Sequence, residues 1–245
     1  MTRTFSIRDT AEYGALARVF GDEAYRLDRL ARGGDLLAAY DRILASRGTP
    51  LILDCGTSSG LSTRYFADAF PFARVIGVEP DHRTFLRALA NCTAGNVELR
   101  QAMIGSECQR DTSSAQHTDR AAPAAANGAV HKLSINSLVA EHGASGGWPF
   151  IIKIALDQFE DELFSRNSEW VDEFPLLIVE LRKWRLPRRR RSQHLLRRLA
   201  EADRDFVFLG ENLFSIASDD ATTAQRQTYV DTPPDIAPYH IREAI

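Results

Sequence analysis

Apolar positions along the chain switch between helical and strand spacing, and the switches delimit the elements. Asp9, with Glu12 three positions on, opens a helix whose inner face carries Tyr13, Leu16, Ala17 and Phe20. Tyr25, Leu27 and Leu30 predict a second, short helix closed by Gly33 and Gly34. Leu36, Leu37, Tyr40, Ile43 and Leu44 predict a third that stops before Gly48. The register then changes. Strands are read at 51–53, at about 74–78 and at about 97–102, the first two built on short apolar runs, and they alternate with helical stretches at about 61–70 and 83–91. Further on, an added strand is predicted at 130–134, a short helix at 137–141, a loop at 143–147, and core strands at 150–156 and 176–181. Ser192 stands where it would cap a helix carrying Leu195, Leu196 and Leu199, and a closing hairpin follows at 206–209 and 213–216. Strands alternating with helices make an α/β fold with a mostly parallel sheet covered on both faces.

Composition divides the chain further. Residues 105–129 turn to Ser, Thr, Gln, Asp and an Ala/Pro run, which predicts a mobile surface insertion. The end, with Pro233, Pro234 and Pro238, predicts an irregular tail. The organisation expected is a helical cap over 1–48, a main domain over 49–218 and a tail over 219–245. At 245 residues and 44% hydrophobic the chain can bury a substantial core. A net charge of -3 makes no general demand for nucleic acid, and no apolar run is long enough to span a membrane. Cys55, Cys92 and Cys108 are odd in number and have no metal-ligand spacing, so reduced thiols in a cytoplasm are expected, with Cys55 a small apolar filler. His117, His131 and His142 fall in or beside loops and are expected to be solvated, and no metal site is expected.

The candidate chemistry sits where the first core strand ends. Leu51 to Gly60 reads as a strand running into a glycine-containing turn and a helix, and Val75 to Pro80 as a strand ending on Glu79. A helix start offers free N–H groups, glycines admit close approach of the backbone, and a strand-end carboxylate accepts hydrogen bonds from a ribose diol. The turn holds Asp54, Gly56, Thr57, Ser58 and Gly60 but lacks the middle glycine of G-x-G-x-x-G, which argues against a dinucleotide. Asp54 could take up an amino-acid ammonium through water, or serve only as a turn carboxylate. This D-x-G-x-x-x-G pattern resembles motif I of class I S-adenosylmethionine-dependent methyltransferases.

Longer stretches are similar to the FkbM-type family of those enzymes. TPLILDCGTSSGLSTRYFADAFPFARVIGVEPD resembles its opening, and SINSLVAEHG, PFIIKIALDQFEDELFSRNSEW, FPLLIVEL and RDFVFLGENLFSI resemble later segments. The resemblance implies a Rossmann-like class I methyltransferase fold with a seven-stranded sheet. It also implies bound S-adenosylmethionine and methyl transfer to an oxygen of a sugar, natural product or other small acceptor. The cofactor residues implied are Asp54, Gly56, Thr57, Ser58, Gly60, Glu79, Pro80, Asp81 and Ala102. Departures fall where the family carries its strand-end carboxylates: Ala155 stands for its Asp, Asp157 for its Glu, and Gln158 for its Gly. Asp157, Glu160 and Lys153 are therefore the catalytic candidates, Lys153 reaching the rim to pair with a carboxylate or lying at a sheet edge. Glu180, Arg188 and Trp184 are substrate candidates, because the run from Arg188 to Arg191 follows the strand ending in Glu180. An anionic or carrier-bound acceptor would suit such a rim, which is otherwise a solvated charged loop. Two alternatives stay open. One is a catalytically silent binding protein on the same fold, prompted by Ala155 and Gln158; the other is a different nucleotide-using α/β enzyme.

Overall fold

The computed structural model describes residues 4–107, 131–156, 160–181 and 193–218. The proposed insertion beyond residue 107, the tail, His117, Asp157, Gln158, Trp184, Arg188 and Ser192 lie outside the described residues. The chain opens with α1 (Thr10–Leu16), which runs on into a π-helical turn (Ala17–Gly21). Asp9 caps α1 by accepting from the backbone N–H groups of Ala11 and Glu12. A 3-10 turn (Leu27–Arg29) leads to α2 (Gly33–Ala45). The core alternation follows: β1 (Thr49–Cys55), α3 (Leu61–Ala69), β2 (Arg74–Val78), α4 (His82–Asn91) and β3 (Val97–Arg100). Then come β4 (Met103–Gly105), β5 (Lys132–Ser134), α5 (Ile135–Gly143) and β6 (Gly147–Ile154). The chain continues through α6 (Glu160–Ser165), α7 (Trp170–Glu173), β7 (Leu176–Glu180), α8 (Gln193–Glu201), β8 (Arg204–Leu209) and β9 (Asn212–Ala217).

Seven strands form one sheet in the order β3-β2-β1-β6-β7-β9-β8. All neighbours are parallel except β9, which runs antiparallel to both β7 and β8. The strand expected at 130–134 is present as β5, but its parallel pairing with β4 in a separate sheet was not anticipated, because a three-residue strand such as β4 carries no readable period.

Strand alternation sorts the core into two faces. Leu51, Leu53, Ile152, Ile154, Leu177 and Val179 point to one face, under α5, α6, α7 and α8. Ile52, Val75, Ile151, Leu176, Ile178 and Phe214 point to the other. There they meet Leu61 and Phe66 of α3 and Val19, Tyr25, Leu27, Leu36 and Tyr40 from the N-terminal helices. The helical N-terminus thus shares one hydrophobic core with the sheet.

His142, expected to be solvated, is instead buried, because Ile135, Leu138, Val139 and His142 form the inward stripe of α5. Tyr13, expected on the inner face of α1, is 62% exposed. Trp170 is 1% exposed and packs on Phe164 with ring centroids 5.2 Å apart.

Candidate functional site

The strand order reverses at β1, with β2 on one side and β6 on the other. In open parallel sheets, the crevice beyond the carboxyl ends of the strands at such a switch point is where ligands bind. The glycine turn leaves β1 at this place. Gly56 N and Thr57 N both donate to Val78 O, at 2.9 and 3.1 Å, and tie the turn to the end of β2. Gly56 and Gly60 hold φ of 82° and 85°, and Ser58 is also left-handed at 52°.

The chain itself requires the two glycines. A Cβ on Gly56 would stand 2.3 Å from Ala155 O, and one on Gly60 2.8 Å from Cys92 Sγ and 2.9 Å from Ala88 Cα. The turn crosses the end of β6 and then packs α3 onto α4.

Beneath the turn lies a buried ion pair. Register places Asp54 of β1 opposite Lys153 of β6, on the face shared with α3. Asp54 is 0% exposed and Lys153 2%. Lys153 Nζ donates to Asp54 Oδ1 at 2.9 Å and lies 3.5 Å from Gly56 O. Ser62 and Thr63 hydroxyls donate to Asp54 Oδ2 at 2.6 and 2.7 Å. Thr57 and Thr63 hydroxyls are hydrogen-bonded to each other. Burial alone would push the Asp54 carboxyl up, but the Lys153 ammonium and the hydroxyl donors outweigh it and hold it below the usual range. Burial would likewise lower Lys153; the Asp54 charge, with Tyr25 and Glu180 contributing, holds it above the ordinary lysine value instead.

This geometry assigns different work to two candidates. The carboxylate that Lys153 reaches is Asp54, and β6 is central, so Lys153 is neither at an edge nor open to an acceptor. Asp54 presents no surface to a ligand, because its partners enclose it. Both hold the turn from below. The Ser62 and Thr63 hydroxyls were not foreseen, although two hydroxyl residues in the first turn after Gly60 are a signal that could have found them.

Glu79 directly follows β2, beside the turn. Its Oε2 accepts from Ser58 N and its Oε1 from Asp81 N, both at 3.0 Å. It is 8% exposed, and burial raises its carboxyl despite those two bonds. Pro80 separates it from Asp81, which caps α4 by accepting from Thr84 N at 2.8 Å and Thr84 Oγ1 at 2.7 Å. Those Thr84 bonds hold the exposed Asp81 carboxyl below its ordinary value. Ala102 is buried just beyond β3. Across the crevice, Ala155 N donates to Cys55 O at 2.9 Å, so position 155 lies directly against the turn. Glu180 ends β7, half-buried, opposite Asn212. Glu160 is the first residue of α6. The Cys55 thiol is fully buried and pushed up by that burial, which suits an apolar filler.

The antiparallel strand inserted between β7 and β8, the turn after β1 and the acid after β2 decide the architecture. The fold is that of the class I methyltransferases. Solved structures similar to this chain include magnesium protoporphyrin IX methyltransferase from Synechocystis PCC 6803 with bound SAM, 12% identical, covering 88% of this chain and 100% of that one, TM-score 0.40. A methyltransferase from Geobacter sulfurreducens is 14% identical, covering 86% of this chain and 90% of that one, also at 0.40. No protein-family model matches the chain, and no curated protein does. Strand order and connectivity, rather than these likenesses, define the fold. Among the described residues no helix is long and apolar enough to cross a membrane, and no three His, Cys, Asp or Glu side chains are grouped to hold a metal ion.

Proposed function

We propose that this protein is a cytoplasmic S-adenosylmethionine-dependent O-methyltransferase of the FkbM type, acting on a hydroxyl of a small molecule, sugar or natural product. The observation that carries the reading is Glu79 at the switch point. Each of its oxygens accepts one backbone N–H, which orients the carboxylate and leaves further lone pairs for a ribose diol. The residues present therefore fit an adenosine ligand. When bound, S-adenosylmethionine supplies an electrophilic methyl group on a sulfonium. The chain's own part is placement. Asp54, Lys153, Ser62 and Thr63 fix the turn, Glu79 and Asp81 border the nucleoside, and much of the rate comes from holding the acceptor oxygen in line. The acceptor proton needs a base. Ala155 has no titratable group, and Asp157, which occupies the family's Glu position, is the residue proposed to take it. Arg188 and Trp184 are proposed to face an anionic or carrier-bound acceptor.

Calorimetric titration with S-adenosylhomocysteine tests the cofactor half. Glu79→Ala is expected to weaken binding by about 1.5–3 kcal/mol, the range for hydrogen bonds to a charged group. Unchanged affinity in a folded variant would remove Glu79 from the site. Turnover over a panel of hydroxyl acceptors tests the rest. Asp157→Asn is expected to lower activity at least ~100-fold with cofactor affinity kept within a few-fold. A second reading, a silent binding protein, is favoured by Ala155 lying directly against the turn. Cofactor binding without methylation of any acceptor would select it.

A further inference from the structure

The segment before α1 is tied to the glycine turn through one side chain. Asn91, the last residue of α4, is 1% exposed. Its Oδ1 accepts from Ser6 N at 2.6 Å, and its Nδ2 donates to Ser6 O at 3.2 Å and to Ser59 O at 2.8 Å. One carboxamide thus pairs with both backbone groups of Ser6 in the manner of a strand neighbour, and with its remaining donor holds the turn between Ser58 and Gly60. The next residue acts on the same turn: Cys92 Sγ donates to Gly60 O at 3.1 Å.

The segment has two further attachments. Phe5 packs on Phe20 with ring centroids 4.8 Å apart, and Phe20 on Tyr65 of α3 at 5.9 Å. Glu12 accepts from Arg8 N at 2.7 Å and forms an ion pair with Arg87 of α4 at 2.9 Å. The segment therefore bridges α3 and α4, the two helices that flank the turn.

We propose that Asn91 is a positioning residue that couples the order of residues 4–12 to the conformation of the glycine turn, so that the N-terminal segment acts as a clasp on the adenosine site. The ligand half of this proposal rests on the cofactor reading above. The coupling is reciprocal. A turn held in its binding conformation favours the clasped segment, and a clasped segment holds the turn. Detaching the clasp must then weaken ligand binding by the same factor by which ligand strengthens the clasp. A buried carboxamide is suited to this, because releasing Ser6 leaves its Oδ1 without that donor inside the protein.

Hydrogen exchange on the ligand-free chain tests the coupling without any assumption about the ligand. Phe5→Ala loosens the segment without touching Asn91. It is expected to speed amide exchange across residues 56–60 as well as 4–12, while core amides of β1 and β2 keep wild-type rates. Asn91→Ala is expected to do the same more strongly. If Phe5→Ala speeds exchange only in its own segment, the coupling is overturned, whatever the ligand. Titration with S-adenosylhomocysteine tests the second half. The ligand is expected to slow exchange over 4–12, and Phe5→Ala to weaken its binding about five-fold or more. Binding within two-fold of wild type would overturn the clasp. No binding to the wild-type chain would overturn the cofactor reading and the ligand half with it, while the coupling would stand or fall on the ligand-free exchange.

Discussion

Replacing Lys153 by Met is the sharpest perturbation of the buried pair. Lys153 Nζ sits 2.9 Å from Asp54 Oδ1, with side-chain exposures of 3% and 0%. Met keeps the length and the apolar stem and removes the charge. The Asp54 carboxylate would then keep only the Ser62 and Thr63 hydroxyls, on its other oxygen. An uncompensated buried charge of this kind destabilises by about 3–5 kcal/mol, a large share of the ~5–15 kcal/mol that holds a domain together. Asp54→Asn with Lys153→Met removes both charges and keeps an oxygen to accept from the hydroxyls. Its expected loss is at most about 1–2 kcal/mol, because two neutral groups avoid the desolvation that the pair must overcome. The two substitutions are therefore strongly non-additive. Urea unfolding of wild type, both single variants and the double variant measures this, with the slope checked for constancy. A Lys153→Met loss under about 1 kcal/mol, or additive single effects, would refute the reasoning. The pH dependence has a definite sign. The folded Asp54 carboxyl lies below its unfolded value, so its contribution is complete above about pH 4 and is lost as pH falls through the folded value. Lys153 is held above its unfolded value, so its contribution is complete below about pH 10 and is lost as pH rises through the folded value. Neutral pH lies inside both limits.

Gly56→Ala, at φ 82° with its Cβ 2.3 Å from Ala155 O, is expected to cost at least about 2 kcal/mol in urea unfolding. Gly34→Ala, exposed within α2 with nothing within 4 Å of its Cβ, is expected to stabilise by about 0.5 kcal/mol or more. Arg204 is buried, and its guanidinium donates to Ser215 Oγ and to the carbonyls of Val171, Phe174 and Ser215, each at 2.9 Å. Burial brings it down to about 10. Arg204→Met strands these acceptors and is expected to lower stability by about 3 kcal/mol, with Arg204→Lys failing to restore it because an ammonium cannot span the same fork. Because burial raises the Glu79 carboxyl, S-adenosylhomocysteine affinity is expected to fall with decreasing pH from a higher pH than an ordinary glutamate would give, as followed by titration calorimetry.

The local pattern alone determined much of this architecture. The bounds of β2 at Arg74 and Val78 matched the expected strand, because the polar residues Arg74 and Glu79 bracket the four buried positions from Val75 to Val78 and mark its ends. The start of α1 was legible in Asp9, whose side chain satisfies N–H groups only two and three residues away. Candidate chemistry was legible as far as residue types and strand ends go, with Glu79 directly after β2. What the tertiary structure decided is everything carried by residues distant in the chain. Asp54 and Lys153 meet across 99 positions only because β6 inserts next to β1. The need for glycine at 56 comes from Ala155 on that neighbouring strand, and the need at 60 from Cys92 and Ala88 on α4. Asn91 gave no sequence signal at all, since a carboxamide ending a helix is ordinary until Ser6 and Ser59 are brought to it. Short-range periodicity encodes which face of an element is buried; which polar group waits on the neighbouring element is set by the order of the strands in the sheet.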